Sequence, residues 1–249
     1  MDKSTAFGLS LGFGGILIGN LLEGGHTSSL MQFTAGLIVL TGTLGAVMVS
    51  NPESDLILGF QLLKKAFQDK EDTEAQSAVR EIVECTKIVK KESVIALESH
   101  QGRIQNPFLK KILRNVVDGI DPEIIREIFE TEIETEEDRL LAGAKIWSDA
   151  GGYSPTIGII GAVLGLIHVM GNLSDTSKLG AGIAVAFVAT VYGVGLANLV
   201  FLPIGSKIKK RIEMQIRERR LVLEGALLVN SGLSSAVVDQ KLRAYLGQS

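Results

Sequence analysis

A single cysteine, Cys85, stands in 249 residues, which excludes an internal disulfide framework and a cysteine-based zinc site. Histidine is nearly as scarce. His26, His100 and His168 lie far apart in the chain, with no H-x-x-x-H or H-E-x-x-H spacing between them, and that excludes a histidine metal centre of those patterns. No phosphate-cradling G-x-x-x-x-G-K-[ST] run and no nucleophile–base constellation occurs, so neither an enzymatic site nor a cofactor is expected. Strong net charge is missing too. The formal value is −3, from 25 Lys and Arg against 28 Asp and Glu, which is no footprint of a nucleic-acid binder.

The most informative absence is local. Residues 6–22, 30–49, 154–173 and 179–203 contain no Asp, Glu, Lys or Arg. A bilayer-spanning helix needs ~20 mostly apolar residues. The last three stretches reach that length. The first is shorter and holds five glycines. It lacks a basic leader beyond Lys3 and a small-residue cleavage site, so it reads as a retained span rather than a signal peptide. The chain divides into 1–50 with two spans, 51–153 as a cytoplasmic helical insert, 154–203 with two more spans, and 204–249 as a cytoplasmic helical tail. The fold class is an all-α membrane protein with four transmembrane helices.

Lys and Arg placement sets the orientation. The short link 23–29 has none and the link 174–178 has only Lys178, whereas 50–153 has 14 and 204–249 has nine. Both short links are therefore expected outside, with the insert and both termini in the cytoplasm. Cys85 then lies in a reducing compartment. The insert is net −7 and the tail net +5, so the two are expected to pack together.

Within the insert, Ala78, Ile82, Cys85, Val89 and Ala96 fall on one stripe at helical spacing. Lys87, Lys91 and Glu98 project from the opposite face, with Lys90 on its flank. Asn106-Pro107 breaks this helix. Further helices are expected at about 107–117 and from Pro122, where Asp121 caps and proline takes the first position. Pro155 and Pro203 bracket the second pair of spans and read by position alone as helix punctuation. Three G-x-x-x-G pairs (Gly8 and Gly12, Gly15 and Gly19, Gly161 and Gly165) suit close helix association in lipid, within the chain or between copies.

No ionisable carboxylate lies inside any span, and a self-sufficient pump or ion-coupled transporter is expected to carry one. The polar groups of note there are His168, Thr190, Tyr192 and Asn198. The Thr190 hydroxyl can satisfy itself on a carbonyl one turn earlier. If ions cross here, another polypeptide supplies the carrier.

The stretches Pro155–Leu166 (PTIGIIGAVLGL), Ala184–Gly193 (AVAFVATVYG), Asn198–Pro203 (NLVFLP) and Lys90–Glu98 (KKESVIALE), supported by Val117–Gly119 and Leu223–Ala226, resemble the A subunit of the bacterial flagellar motor stator, the MotA/PomA family within the MotA/TolQ/ExbB proton channel superfamily. The resemblance covers essentially the whole chain. It implies a homopentamer in the inner membrane, embedded in lipid, around a dimer of a MotB-like B subunit that carries the ion-binding aspartate and anchors to peptidoglycan. It implies that ion flow turns the ring and that charged residues push the rotor protein FliG. By resemblance, Lys90 and Glu98 are the rotor-facing charges, with Lys91 beside them. Lysine stands where the family usually has arginine, which keeps the charge and loses the bidentate fork. Pro155 and Pro203 match the prolines of the ion path and the conformational switch, and Thr190 matches a pore-facing threonine. Sodium-driven relatives tend to carry threonine at the positions of Ala162 and Ala189. Sodium needs replacement oxygen ligands as it sheds water, so protons are the expected ion. An ExbB/TolQ-like energiser of outer-membrane processes is the alternative, although that relative normally has three spans.

Overall fold

The computed structural model describes residues 3–67, 73–171 and 176–246. The beginning of the link expected at 174–178 lies outside them. Every regular element among the described residues is helical. The chain forms two compact units, one from residues 1–69 and 139–211 and the other from 70–138 and 212–249.

The first unit holds α1 (Lys3–Leu22), α2 (Phe33–Ser50), α3 (Glu53–Ala66), the later part of α7 (Pro122–Met170), α8 (Thr176–Leu196) and the start of α9 (Leu202–Val229). Four helical segments are long and apolar enough to cross a membrane, at Lys3–Leu22, Thr27–Ser50, Pro122–Met170 and Leu179–Val229. Within their charge-free stretches many large apolar side chains point outward. Phe7 is 71% exposed and Phe187 is 70% exposed. Water would penalise such a surface by ~25 cal/mol per Å², whereas hydrocarbon would not.

α2 buries Ala35, Val39, Thr43 and Val47, spaced four residues apart on one face. Ala35 and Val39 form a cluster with Val188 and Ala189 of α8. Tyr192 ties the top of this packing. Its hydroxyl donates to the Leu30 carbonyl at 2.5 Å and accepts from the Gln32 amide at 3.4 Å. At the other end α3 follows α2 after Asn51-Pro52, with Pro52 extended at the cap. Trp147 Nε1 donates to the Gly59 carbonyl at 3.1 Å, and Asn51 Nδ2 donates to Asp149 at 3.2 Å.

The second unit holds α4 (Thr73–Lys91), α5 (Leu97–His100), α6 (Pro107–Val117), the first part of α7, the later part of α9 and α10 (Ser235–Tyr245). Its core includes Ile82, Leu109, Ile112, Ile125, Phe129, Ile216 and Leu223. The two helix starts expected from the sequence are present. Asn106 Oδ1 accepts from the Phe108 and Leu109 amides at 3.0 Å, with Pro107 in the first turn. Asp121 Oδ1 accepts from the Glu123 amide at 2.9 Å ahead of α7. Insert and tail do pack together. Arg126 of α7 forms an ion pair with Glu224 of α9, and Arg220 pairs with Glu137 at 2.9 Å.

Two expectations need correction. The stripe from Ala78 does not continue to Ala96, because α4 ends at Lys91 and Ser93 is fully extended. On a continued helix Leu97 would sit about 100° off the buried stripe. The turn at 92–96 instead carries it into the core, where it is almost wholly buried. Glu98 therefore stands on α5 and not on the lysine-bearing helix. Second, Pro155 is not punctuation. It lies inside the uninterrupted α7, where it removes one backbone donor from the ladder.

Burial pushes the Cys85 thiol up to about 11, reinforced by Glu81 and Glu84. The neutral thiol is therefore favoured by folding. Its contribution to stability is complete below the ordinary value of 9.0 and fades as pH rises toward about 11. The thiolate is the nucleophile, and a shift of this size lowers its fraction ~100-fold. Folded protein at neutral to mildly alkaline pH should resist iodoacetamide at Cys85, with rapid labelling restored in denaturant; mass spectrometry of the labelled peptide reads the difference.

Candidate functional site

Small residues bring α7 and α8 into backbone contact. On α7 the contact face is Ser154, Gly158, Gly161 and Gly165. On α8 it is Gly182, Ala186, Ala189 and Gly193. A Cβ added at Gly158 would stand 2.8 Å from the Ala189 carbonyl oxygen and 3.1 Å from Gly193 Cα. One added at Gly165 would stand 2.8 Å from the Ala186 nitrogen. Only glycine permits this approach. Ser154 is fully buried at the seam, and its hydroxyl donates to the Gly193 carbonyl at 3.0 Å. The G-x-x-x-G pair Gly161 and Gly165 thus serves packing within the chain. In α1, Gly12 meets Leu199, while Gly8, Gly15 and Gly19 meet nothing.

The seam has two sides. On one lies α2, where Gly42 faces Ile157 and Ile38 approaches Gly161, while Val185, Val188, Tyr192 and Leu196 face α2 from α8. The other side is open within the chain. Rotation of 100° per residue places Pro155, Ile159 and Ala162 of α7 on it, one step round from Ser154, Gly158 and Gly161. The same step on α8 places Phe187, Thr190 and Val194 there, because antiparallel helices in contact carry equally rotated flanks on the same side. Ile159, Phe187 and Val194 are exposed. Pro155, Ala162 and Thr190 are half-buried. The structure thus brings three of the four residues assigned to the ion path onto one wall.

The fourth lies elsewhere. Ala189 is fully buried in the seam, against Gly161 and the α2 cluster. A larger side chain at 189 would wedge α7 from α8 before it reached the wall. The Thr190 hydroxyl donates to the Ala186 carbonyl at 3.3 Å, the one-turn back-bond anticipated from its sequence context. No carboxylate and no ammonium belongs to this wall, since residues 154–173 and 179–206 carry neither.

Below the wall, α8 gives way to a π-helical turn, Ala197–Phe201, before α9 begins at Leu202. Pro203, exposed, is the second residue of α9. Its missing amide and the widened turn next to it belong together, because a π turn absorbs a break in the four-residue ladder. Asn198 within this turn donates Nδ2 to the Val194 carbonyl at 2.9 Å. Sequence reasoning did not find the π turn, Ser154 or the Tyr192 tie. Pro203 was the one signal for the first, and the buried serine had none.

The remaining site residues are in the second unit. Lys90 and Lys91 occupy the last turn of α4, Glu98 the start of α5, and all three are exposed. None of them makes an ion pair among the described residues, whereas Arg126, Arg220 and Lys111 of the same unit do.

Residues 100–220 match the MotA/TolQ/ExbB proton channel family. Motility protein A of Bacillus subtilis (strain 168) is 34% identical over 246 residues, spanning 99% of this chain and 91% of that protein. Chemotaxis protein PomA of Vibrio alginolyticus is 31% identical over 248 residues, spanning 100% and 96%. The solved flagellar MotAB stator complex from Bacillus subtilis contains a chain that superposes with a TM-score of 0.89 at 33% identity, covering 98% of this chain and 96% of that one.

The seam can be tested apart from any function. Gly158→Ala should cost ~1–3 kcal/mol through overpacking against backbone and lower the thermal midpoint of the purified protein. Gly45→Ala on α2, where an added Cβ meets nothing, should leave the midpoint unchanged or raise it.

Proposed function

We propose that this chain, which belongs to the MotA/TolQ/ExbB proton channel family and within it to the motility protein A group, is the ion-conducting A subunit of a flagellar motor stator. It is a multi-pass protein of the inner membrane. The observation that carries the reading is the open wall of Pro155, Ala162 and Thr190. It is apolar, glycine-backed and without a single ionisable group, so it can line an ion path only if a partner contributes the carrier. A MotB-like B subunit is the partner that fits, and the solved relatives are MotA–MotB complexes by name.

In this reading the four apolar helices are the spans, with both termini and the charged helical unit in the cytoplasm. Five copies surround two copies of the B subunit, whose membrane carboxyl group lies against the Pro155/Thr190 wall. While ionised, that group takes hydrogen bonds from whatever donors the wall and its waters supply. Protonation cancels the charge, releases the group from the wall, and lets the ring step. Moving one charge through 100 mV yields ~2.3 kcal/mol, so a driving force of about 150 mV gives ~3.5 kcal/mol, between two and three decades in a two-state equilibrium. That suffices to bias a packing switch at the π turn and Pro203 without breaking a folded core. The exposed Lys90, Lys91 and Glu98 then transmit the step to the rotor protein FliG.

Ala162 supports protons over sodium, because it gives the wall one oxygen fewer than a threonine would. Ala189 supports the same ion less directly, through the seam. The four long apolar helices favour the stator over an ExbB/TolQ-like energiser, which normally has three spans.

The reading is tested by complementing a stator-deletion strain with this chain and its neighbouring B subunit. Swimming should persist without sodium and stop with a protonophore; motility that requires sodium and survives the uncoupler refutes the proton assignment. Glu98→Lys should reduce swimming severalfold at unchanged membrane levels by immunoblot. Loss of the protein from the membrane would make Glu98 structural instead.

A further inference from the structure

We propose that the basic end of the first unit binds the headgroup phosphate of an anionic phospholipid. The first turn of α1, the end of α3 and the second turn of α9 meet there. Lys207 of α9 donates its Nζ to Thr5 Oγ1 in the first turn of α1 at 2.5 Å, and the same ammonium lies 5.4 Å from the centroid of Phe67, the residue that ends α3. This knot gathers Lys64 and Lys65 in the last turn of α3, and Lys210 one turn along α9. All three are exposed, and none forms an ion pair among the described residues.

The position of the knot along the helices identifies the ligand. The uncharged run of α1 begins immediately beyond Lys3, and the uncharged run from 179 ends at Ser206, the residue before Lys207. The Thr5–Lys207 contact therefore marks where apolar helix surface stops on two separate helices. In a bilayer that level is occupied by phosphate. The outer face of α3 adds a second element. Ile57 and Phe60, each 53% exposed, fall on the same side as Lys64. An apolar pair followed by an ammonium is the pattern of a helix that rests in the interface between acyl chains and headgroups.

Clustered ammonium groups favour a headgroup of net negative charge over a zwitterionic one, which brings an ammonium of its own. The opposite link of this unit, residues 23–29, carries only Glu23 as a charged residue, so the preference belongs to one leaflet. The inference needs the membrane-spanning reading of the helices and not the motor role.

The test uses the full chain purified with its B subunit in detergent, with palmitoyl-oleoyl phosphatidylglycerol or phosphatidylcholine added, and native mass spectrometry to count retained lipid. Phosphatidylglycerol should be retained at least ten-fold over phosphatidylcholine. Lys64→Gln, Lys65→Gln and Lys210→Gln combined should remove that preference, the corresponding triple arginine variant should keep it, and salt of about 0.5 M should weaken it. Equal retention of the two lipids, or a glutamine variant that holds phosphatidylglycerol as the parent does, overturns the proposal. So does a glutamine variant that sheds subunits along with lipid, which would assign these lysines to contacts between copies. Swimming supported by the parent chain is scored separately, so a failed motor reading and a failed lipid site give different results.

Discussion

Two backbones in contact at Gly158 and Gly193 determine most of what surrounds them. In lipid, helices gain nothing from hiding apolar surface, so association depends on how closely they can approach. The run of Ser154, Gly158, Gly161 and Gly165 against Gly182, Ala186, Ala189 and Gly193 carries nothing larger than serine on the shared face. Every larger residue is displaced to one flank or the other. One flank is filled by α2, and the other is left as a smooth surface interrupted by a single hydroxyl.

The same economy explains how polar groups are treated inside the apolar unit. Ser154 spends its hydrogen on the Gly193 carbonyl, Tyr192 on the Leu30 carbonyl, and Asn198 on the Val194 carbonyl beside the π turn. Each bonds to backbone, so each holds helices together or steadies an irregular turn without placing charge in the membrane. The charged unit works by the opposite rule. Arg126 with Glu224, and Arg220 with Glu137, join its two chain segments through ion pairs. Lys90, Lys91 and Glu98 stand exposed on that unit and join no ion pair among the described residues.

Much of this was legible in the sequence where the determinant is local. Asn106-Pro107 and Asp121-Pro122 announce helix starts because a cap and a proline act within four residues. Runs without charge announce apolar helices because length and composition decide them. The stop at Lys91 was not legible, since it is imposed by the core's demand for Leu97, which only the tertiary packing expresses. Pro155 read as a boundary because charge vanishes there, yet a change of solvent along a helix need not end the helix. The separation of Ala189 from Thr190 was hidden for a related reason. Adjacent residues differ by 100° of rotation, and whether that step leads into a seam or onto a wall depends on which neighbour lies opposite.

The Thr190 hydroxyl has one hydrogen and, at 3.3 Å, a rather long bond to the Ala186 carbonyl. A negatively charged oxygen brought to the wall would compete for that hydrogen and would win it by rotation of the O–H about the Cβ–Oγ1 bond. A neutral carboxylic acid brings its own hydrogen and leaves the carbonyl undisturbed. One side chain can thus register whether a neighbouring group is charged, using nothing more than the choice between two acceptors for a single proton.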